Sequence, residues 1–183
     1  MGKEFVRFSC HSCGHCCRDL AVLPTPFDVQ RITLHTGRNP LDFLEFLTPE
    51  EVEEVDENDP TWLDVDGQRY LMALHRDEEK GCSFLDPGTR LCGIYEARPI
   101  LCRLYPFKLE ETASGRYNGF SLHTDVECPR HRDGQVATAP LHDLYREDCV
   151  HQESYEALVD DFNGRKYRGK EPEDFIRLFI DGI

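Results

Sequence analysis

The chain has 183 residues, with 35 acidic against 21 basic side chains and a formal net charge of -14. A surface of that sign repels polyphosphate backbones at long range, which argues against a nucleic-acid binder. Nine cysteines, an odd number, cannot all pair within the chain, so metal chemistry in a reducing compartment explains them better than a secreted disulfide scaffold does.

The opening stretch from Met1 to Arg7 has no long apolar run behind its charges and reads as neither signal peptide nor membrane anchor. No later segment reaches the roughly 18 apolar residues of a membrane span. The expected location is cytoplasmic, with no membrane partner.

Cys10-His11-Ser12-Cys13-Gly14-His15-Cys16-Cys17 follows, with four thiols in eight residues. Two residues between cysteines let a tight turn aim both sulfurs at one ion. The run Cys10, Cys13, Cys16 repeats the spacing of the bacterial iron–sulfur run, whose remaining ligand is a cysteine before proline. Cys128-Pro129 supplies that pair far downstream. A cubane iron–sulfur cluster is favoured and structural zinc is the alternative. With four thiols available, His11 and His15 are expected beside the metal or on the surface.

Thr25-Pro26-Phe27-Asp28 predicts a capped helix through Val29, Ile32 and Leu34 that stops at Gly37. Asn39-Pro40 predicts a second helix carrying Leu41, Leu44 and Leu47, and Thr48-Pro49 a third start. Asp66-Gly67 marks a hairpin between strand-like segments. From Cys82 to Cys92 a second hairpin, turning at Pro87-Gly88, would set those two cysteines side by side at its open end. A helical turn entering or leaving at Pro99 is expected within the segment from Ile94 to Pro106, which carries Cys102, and a further hairpin from Lys108 to Leu122 around Ser114-Gly115.

From Pro140 to Phe162 the apolar spacing predicts a long helix ended by Asn163-Gly164, with Cys149 at the edge of its stripe as a packing residue. A short helix from Glu173 to Ile180 closes the chain. The fold class is α+β: small irregular hairpins and short helices around a cysteine-ligated metal centre, with C-terminal helices. Residues 1–135 are expected to form the metal-binding domain and 136–183 a helical extension packed on it.

Cys10, Cys13, Cys16, Cys17, Cys82, Cys92, Cys102 and Cys128 are the eight candidate ligands. Eight fits two four-coordinate sites, or one cluster with a further zinc site or disulfide. In an extended segment the adjacent Cys16 and Cys17 would point apart and serve different sites. Arg98 and Arg103 flank Cys102, where a guanidinium can donate hydrogen bonds to cluster sulfur and raise its potential. His75, His123, His131, His142 and His151 form no catalytic motif.

The combination of Cys10, Cys13, Gly14, Cys16 and Cys17, then Cys82-Ser83-Phe84-Leu85, Cys92-Gly93-Ile94-Tyr95, and Arg98-Pro99-Ile100-Leu101-Cys102-Arg103 with Tyr105-Pro106 resembles the YkgJ-type C-x2-C-x2-CC proteins, described as zinc- or iron-chelating. The resemblance spans about residues 5 to 130 and departs at Arg130, where the family has glycine. It implies a bound metal, and the family is often labelled as iron–sulfur oxidoreductase. A similar motif looks like that of flagellin lysine methylases, but this chain is much shorter and has no recognisable S-adenosylmethionine loop, so methyl transfer is not carried over. The function expected is a [4Fe-4S] protein with one or two clusters, serving electron transfer or as the cofactor part of a modification enzyme, with a protein redox or substrate partner. The alternative is a zinc-stabilised interaction module that binds Zn2+.

Overall fold

The computed structural model describes residues 3–18, 20–52, 56–77, 79–124, 131–165 and 171–180. Cys128 and Pro129 lie outside the described residues.

In chain order the elements are β1 (Phe5–Val6), α1 (His15–Arg18), α2 (Pro26–Thr36), β2 (Leu44–Leu47), β3 (Leu63–Val65), β4 (Gln68–Leu74), β5 (Arg76–Asp77) and β6 (Gly81–Cys82). They continue with α3 (Ile100–Leu104), β7 (Phe107–Glu111), β8 (Tyr117–Leu122), β9 (Val136–Ala137) and α4 (Thr138–Gly164). Short 3-10 turns at Pro40–Asp42, Pro49–Glu51, Tyr95–Ala97 and Pro172–Leu178 fill the joints. Small antiparallel sheets mixed with helices make this an α+β fold.

The helix opened by Thr25 forms as its sequence predicts. Thr25 and Asp28 cap it reciprocally, Pro26 sits in its first turn, and Gly37 ends it in the left-handed region at φ 67°. Its inner face buries Val29 and Ile32 completely, each contributing about 1.5–3 kcal/mol. Leu34, expected on that face, points to solvent.

The stretch after Asn39 departs from the helix expected of it. Asn39 and Pro40 open only one 3-10 turn, and Leu44–Leu47 then pairs as an edge strand with β4, Leu44 opposite Leu74 and Leu47 opposite Leu71. The three-residue leucine spacing predicts a helix, but Leu41 is exposed and only Leu44 is buried of the three. Strand pairing satisfies the backbone of this segment better than a short isolated helix would. The hairpin at Asp66-Gly67 does form. Both residues have positive φ, 50° and 87°, as a two-residue turn between twisted strands requires.

Two cores result. The first packs α2, the sheet β2-β4-β3, the C-terminal half of α4 and the 3-10 turn at Phe175 and Ile176 around Phe43, Leu63 and Met72. The second gathers Val6, Ile100, Leu104, Phe120, Leu141 and Leu144, joining β1, α3, β8 and the start of α4. Helix α4 runs 27 residues and contributes to both, with Tyr155, Val159 and Phe162 in one and Leu141 and Leu144 in the other. The last segment is a 3-10 turn rather than an α-helix, with Pro172 in its first turn. Among the described residues no helix is long and apolar enough to cross a membrane.

Candidate metal centre

The cysteines collect where the two cores meet. Cys82 and Cys92 pack on the first core, while α3, which carries Cys102, is anchored in the second by Ile100 and Leu104. The N-terminal cysteine loop closes over the gap. Cys10, Cys13, Cys16, Cys17, Cys82, Cys92 and Cys102 all line one cavity of about 100 Å3, walled by apolar groups that include Phe8, Val22, Phe84 and Ile94.

Local chemistry puts each piece there. In the loop, Gly14 takes φ 75° and its carbonyl accepts from the Cys17 amide at 3.1 Å, turning the chain into α1. Because α1 is helical and not extended, Cys16 and Cys17 do not point apart as expected: their sulfurs lie 3.9 Å from each other. Gly81 lets this turn rest directly on β6. A Cβ at Gly81 would stand 2.5 Å from the Cys17 carbonyl oxygen and 2.8 Å from the Arg18 Cα, and its own φ is 82°.

The segment from Cys82 to Cys92 forms a tighter structure than a simple hairpin. The Asp86 carboxylate accepts from the amides of Gly88 and Thr89 and from the Thr89 hydroxyl, closing a short loop. Cys92 therefore falls opposite Leu85, and Cys82 pairs instead with Arg76 between β5 and β6. The expected side-by-side register of Cys82 and Cys92 is thus not the one that forms, yet both thiols reach the same cavity.

Two residues that hold the site carried no signal as metal-site residues in the sequence. Asp28, fully buried, accepts from the Ile100 amide at 3.1 Å and pairs with Arg31, and Arg31 donates to the Arg98 carbonyl at 2.7 Å. Together they pin the backbone between Arg98 and Ile100, hence the start of α3 and Cys102. The capping motif announced Asp28 only as a helix cap. Its second use depends on a contact 72 residues away.

Charge orders the thiols. Cys17 shares thiol hydrogen bonds with Cys16 and Cys92, which bring Cys16 down to about 7 and Cys92 to about 6 and push Cys17 itself far up. The Arg98 guanidinium lowers Cys16 and Cys92 further. Burial holds Cys82 and Cys102 above the ordinary thiol range. Arg98 also donates to the Tyr95 carbonyl at 2.9 Å and lies 3.6 Å over that ring. Arg103 is exposed on α3 and does not line the cavity.

His15 lines the cavity, whereas His11 faces out, 3.1 Å from Asp133 and stacked on His131 at 3.8 Å. Cys149, on α4, lies apart from the cavity and interacts with Tyr145. Among the described residues no three His, Cys, Asp or Glu side chains close on a single point. The thiols surround a space instead.

That donor set suits a thiophilic metal. Thiolates are soft ligands that select zinc, copper(I) and iron–sulfur clusters over hard cations. The family model described as "Putative zinc- or iron-chelating domain", CxxCxxCC, matches residues 9–129, about two thirds of the chain. The chain belongs to this family. All the described cysteines of the cavity fall inside the matched region of the CxxCxxCC domain, and Cys149 falls outside it. Searches among curated proteins and among solved structures return no match.

Proposed function

We propose that the cavity holds an iron–sulfur centre and that the protein serves electron transfer, or supplies the redox part of a larger modification reaction, to a protein partner. The observation that carries this reading is how the thiols are arranged: seven surround one space of about 100 Å3 and, among the described residues, no three of them close on a single point, whereas a tetrahedral zinc gathers its four ligands on one point and a cubane spreads its four cysteines over separate irons. Cys10, Cys13, Cys16, Cys17, Cys82, Cys92 and Cys102 are its candidate ligands, with Cys128 an eighth from its sequence alone.

When bound, such a centre supplies one-electron chemistry. The chain's own residues do the rest. Phe8, Phe84, Ile94 and Tyr105 restrict water, which otherwise stabilises the more highly charged state of a cluster. Arg98 places a fixed positive charge beside Cys16, Cys92 and Cys102, favouring their thiolates and the reduced state. Tyr95, half-exposed under the Arg98 guanidinium, and Leu91 form an accessible apolar rim at the same cavity, where a partner protein would dock.

A specific distance supports zinc as the second reading. Two thiolates at 2.3 Å from one tetrahedral ion are about 3.8 Å apart, and the Cys16 and Cys17 sulfurs stand at 3.9 Å. In a cubane those two would terminate different irons and stand farther apart.

Purification without oxygen, with iron, acid-labile sulfide and zinc measured per chain alongside the visible spectrum, decides between them. Brown protein with iron and sulfide in equal amounts supports the redox reading. Zinc alone, persisting after anaerobic reconstitution with iron and sulfide, overturns it. In either case uptake of metal at neutral pH releases protons, because Cys17, Cys82 and Cys102 start protonated, and affinity falls as the pH is lowered.

A further inference from the structure

A second cavity, of about 370 Å3, lies behind the cysteine site between α3, the β7–β8 hairpin and α4. It shares Cys16, Val22, Cys102 and Tyr105 with the first cavity. Its volume is within the range of small-molecule sites, and most of its wall is apolar, with Leu104, Leu109 and Phe120 on one side.

Into this apolar wall α4 places Asp148. Its side chain is only 9% exposed, and its Oδ1 has no hydrogen-bond partner. The contrast with Asp28 is instructive. Asp28 is buried deeper, for a structural purpose, and uses both oxygens, on Arg31, the Ile100 amide and the Thr25 amide and hydroxyl. Asp148 leaves one acceptor open beside a cavity.

The groups around Asp148 narrow the ligand. Burial pushes the Asp148 carboxyl up, and Asp28 from α2 and Glu147 from α4 add to this by repelling its charge; His151 and a side-chain hydrogen bond with Gln152, a turn further along α4, partly offset it. Lys108, exposed on β7, and His123 also line the cavity, yet among the described residues Asp148 makes no ion pair. A buried carboxylate with like charges nearby is best completed by a donor that brings positive charge.

We propose that this cavity binds a small amine with an apolar body, its ammonium on Asp148 and its body against Leu104, Leu109 and Phe120. This site goes beyond the metal reading and stands without it, since no cysteine takes part in recognition. Its position does put any occupant against the Cys16 and Cys102 side of the centre.

The test titrates the full chain, as isolated with its metal, with phenethylamine, 2-phenylethanol and 3-phenylpropanoate by calorimetry, and follows the amides of Leu104, Phe120 and Tyr145 by NMR. The amine is expected to bind one per chain, roughly tenfold or more tighter than the alcohol, as a charge-assisted hydrogen bond allows. The propanoate should bind weakest. Asp148→Asn should bring the amine down to the level of the alcohol, and Leu109→Trp, which fills the cavity, should weaken both. Near-UV circular dichroism and metal content report that each variant is folded. Amine and alcohol binding alike, amine affinity unchanged in Asp148→Asn, or shifts confined to other residues would each overturn the proposal.

Discussion

The first core and the cysteine cavity share walls, yet they are built on opposite principles. In the core, Val29, Ile32, Phe43 and Leu63 have no exposed surface at all, and each needs nothing but its neighbours. Around the cavity the thiols keep some exposure, Cys10 most of all, and they are held by polar backbone contacts in loops and single turns. A site made of short pieces cannot draw on a sheet for its geometry. It borrows rigidity from the elements it is pinned to, and the chemistry of its sulfurs is completed from outside.

The largest effect that separates the two regions is a cavity in the core. Phe43 packs on Phe84 with ring centroids 5.4 Å apart, and the Arg38 guanidinium covers both rings, 5.9 Å from Phe43 and 5.1 Å from Phe84. Phe43→Ala should cost about 3–5 kcal/mol, read as a lower urea midpoint with the slope unchanged. Because Phe84 sits on both the core and the cavity wall, the variant should also weaken metal retention. A variant destabilised by that amount with full metal content would show the cavity to be more independent of the core than its shared wall implies.

Gly81→Ala aims at the join from the other side. The added Cβ would meet the Cys17 carbonyl and the Arg18 Cα, both backbone atoms, in a residue held at positive φ. Overpacking of this kind costs about 1–3 kcal/mol, and the cheapest relief is to move α1 away from β6. Metal per chain should therefore fall several-fold while hydrogen-exchange protection of β4 stays near that of the unmodified protein. Loss of protection in β4 alongside the metal would mean that cavity and core are one cooperative unit.

How much of this was legible in the sequence follows the same division. Elements specified by local chemistry were readable: the Thr25 cap, the Asp66-Gly67 turn, the Ser114-Gly115 hairpin and the stripe of α4 all form where their residues place them. The cysteines were readable as a metal-chelating motif because spacing and residue type are local too, and seven of them do line one cavity. Most of what failed depended on distant partners. Leu44–Leu47 becomes a strand because β4 is there to receive it, and Cys82 leaves its hairpin register because β5 is a better partner. Likewise Asp28 holds the approach to Cys102 only because the chain returns beside it, and Asp148 acquires meaning only once a cavity opens next to it.

Asp148 also gives the smallest predicted effect, and its sign follows from linkage. Burial and the neighbouring Asp28 carboxylate raise its pKa above the ordinary carboxylate value. Between that ordinary value and its own, the folded chain holds a proton that the unfolded chain has released. Stability must then decline as the pH rises through this window and stay lower above it. Asp148→Asn removes the decline, because the amide carries no charge to bury. The variant should melt higher at neutral pH, by at most about 2–4 °C, what about 1 kcal/mol gives in a domain of this size, and the gain should vanish once the pH falls below the ordinary carboxylate range. Phenethylamine should erase the difference from the other direction by stabilising the unmodified protein more than the variant. A gain that persisted in acid would assign the effect to packing rather than charge. A loss of stability at neutral pH would show that the carboxylate is already satisfied in the folded protein, and would place Asp148 with Asp28 among the groups that hold the fold together.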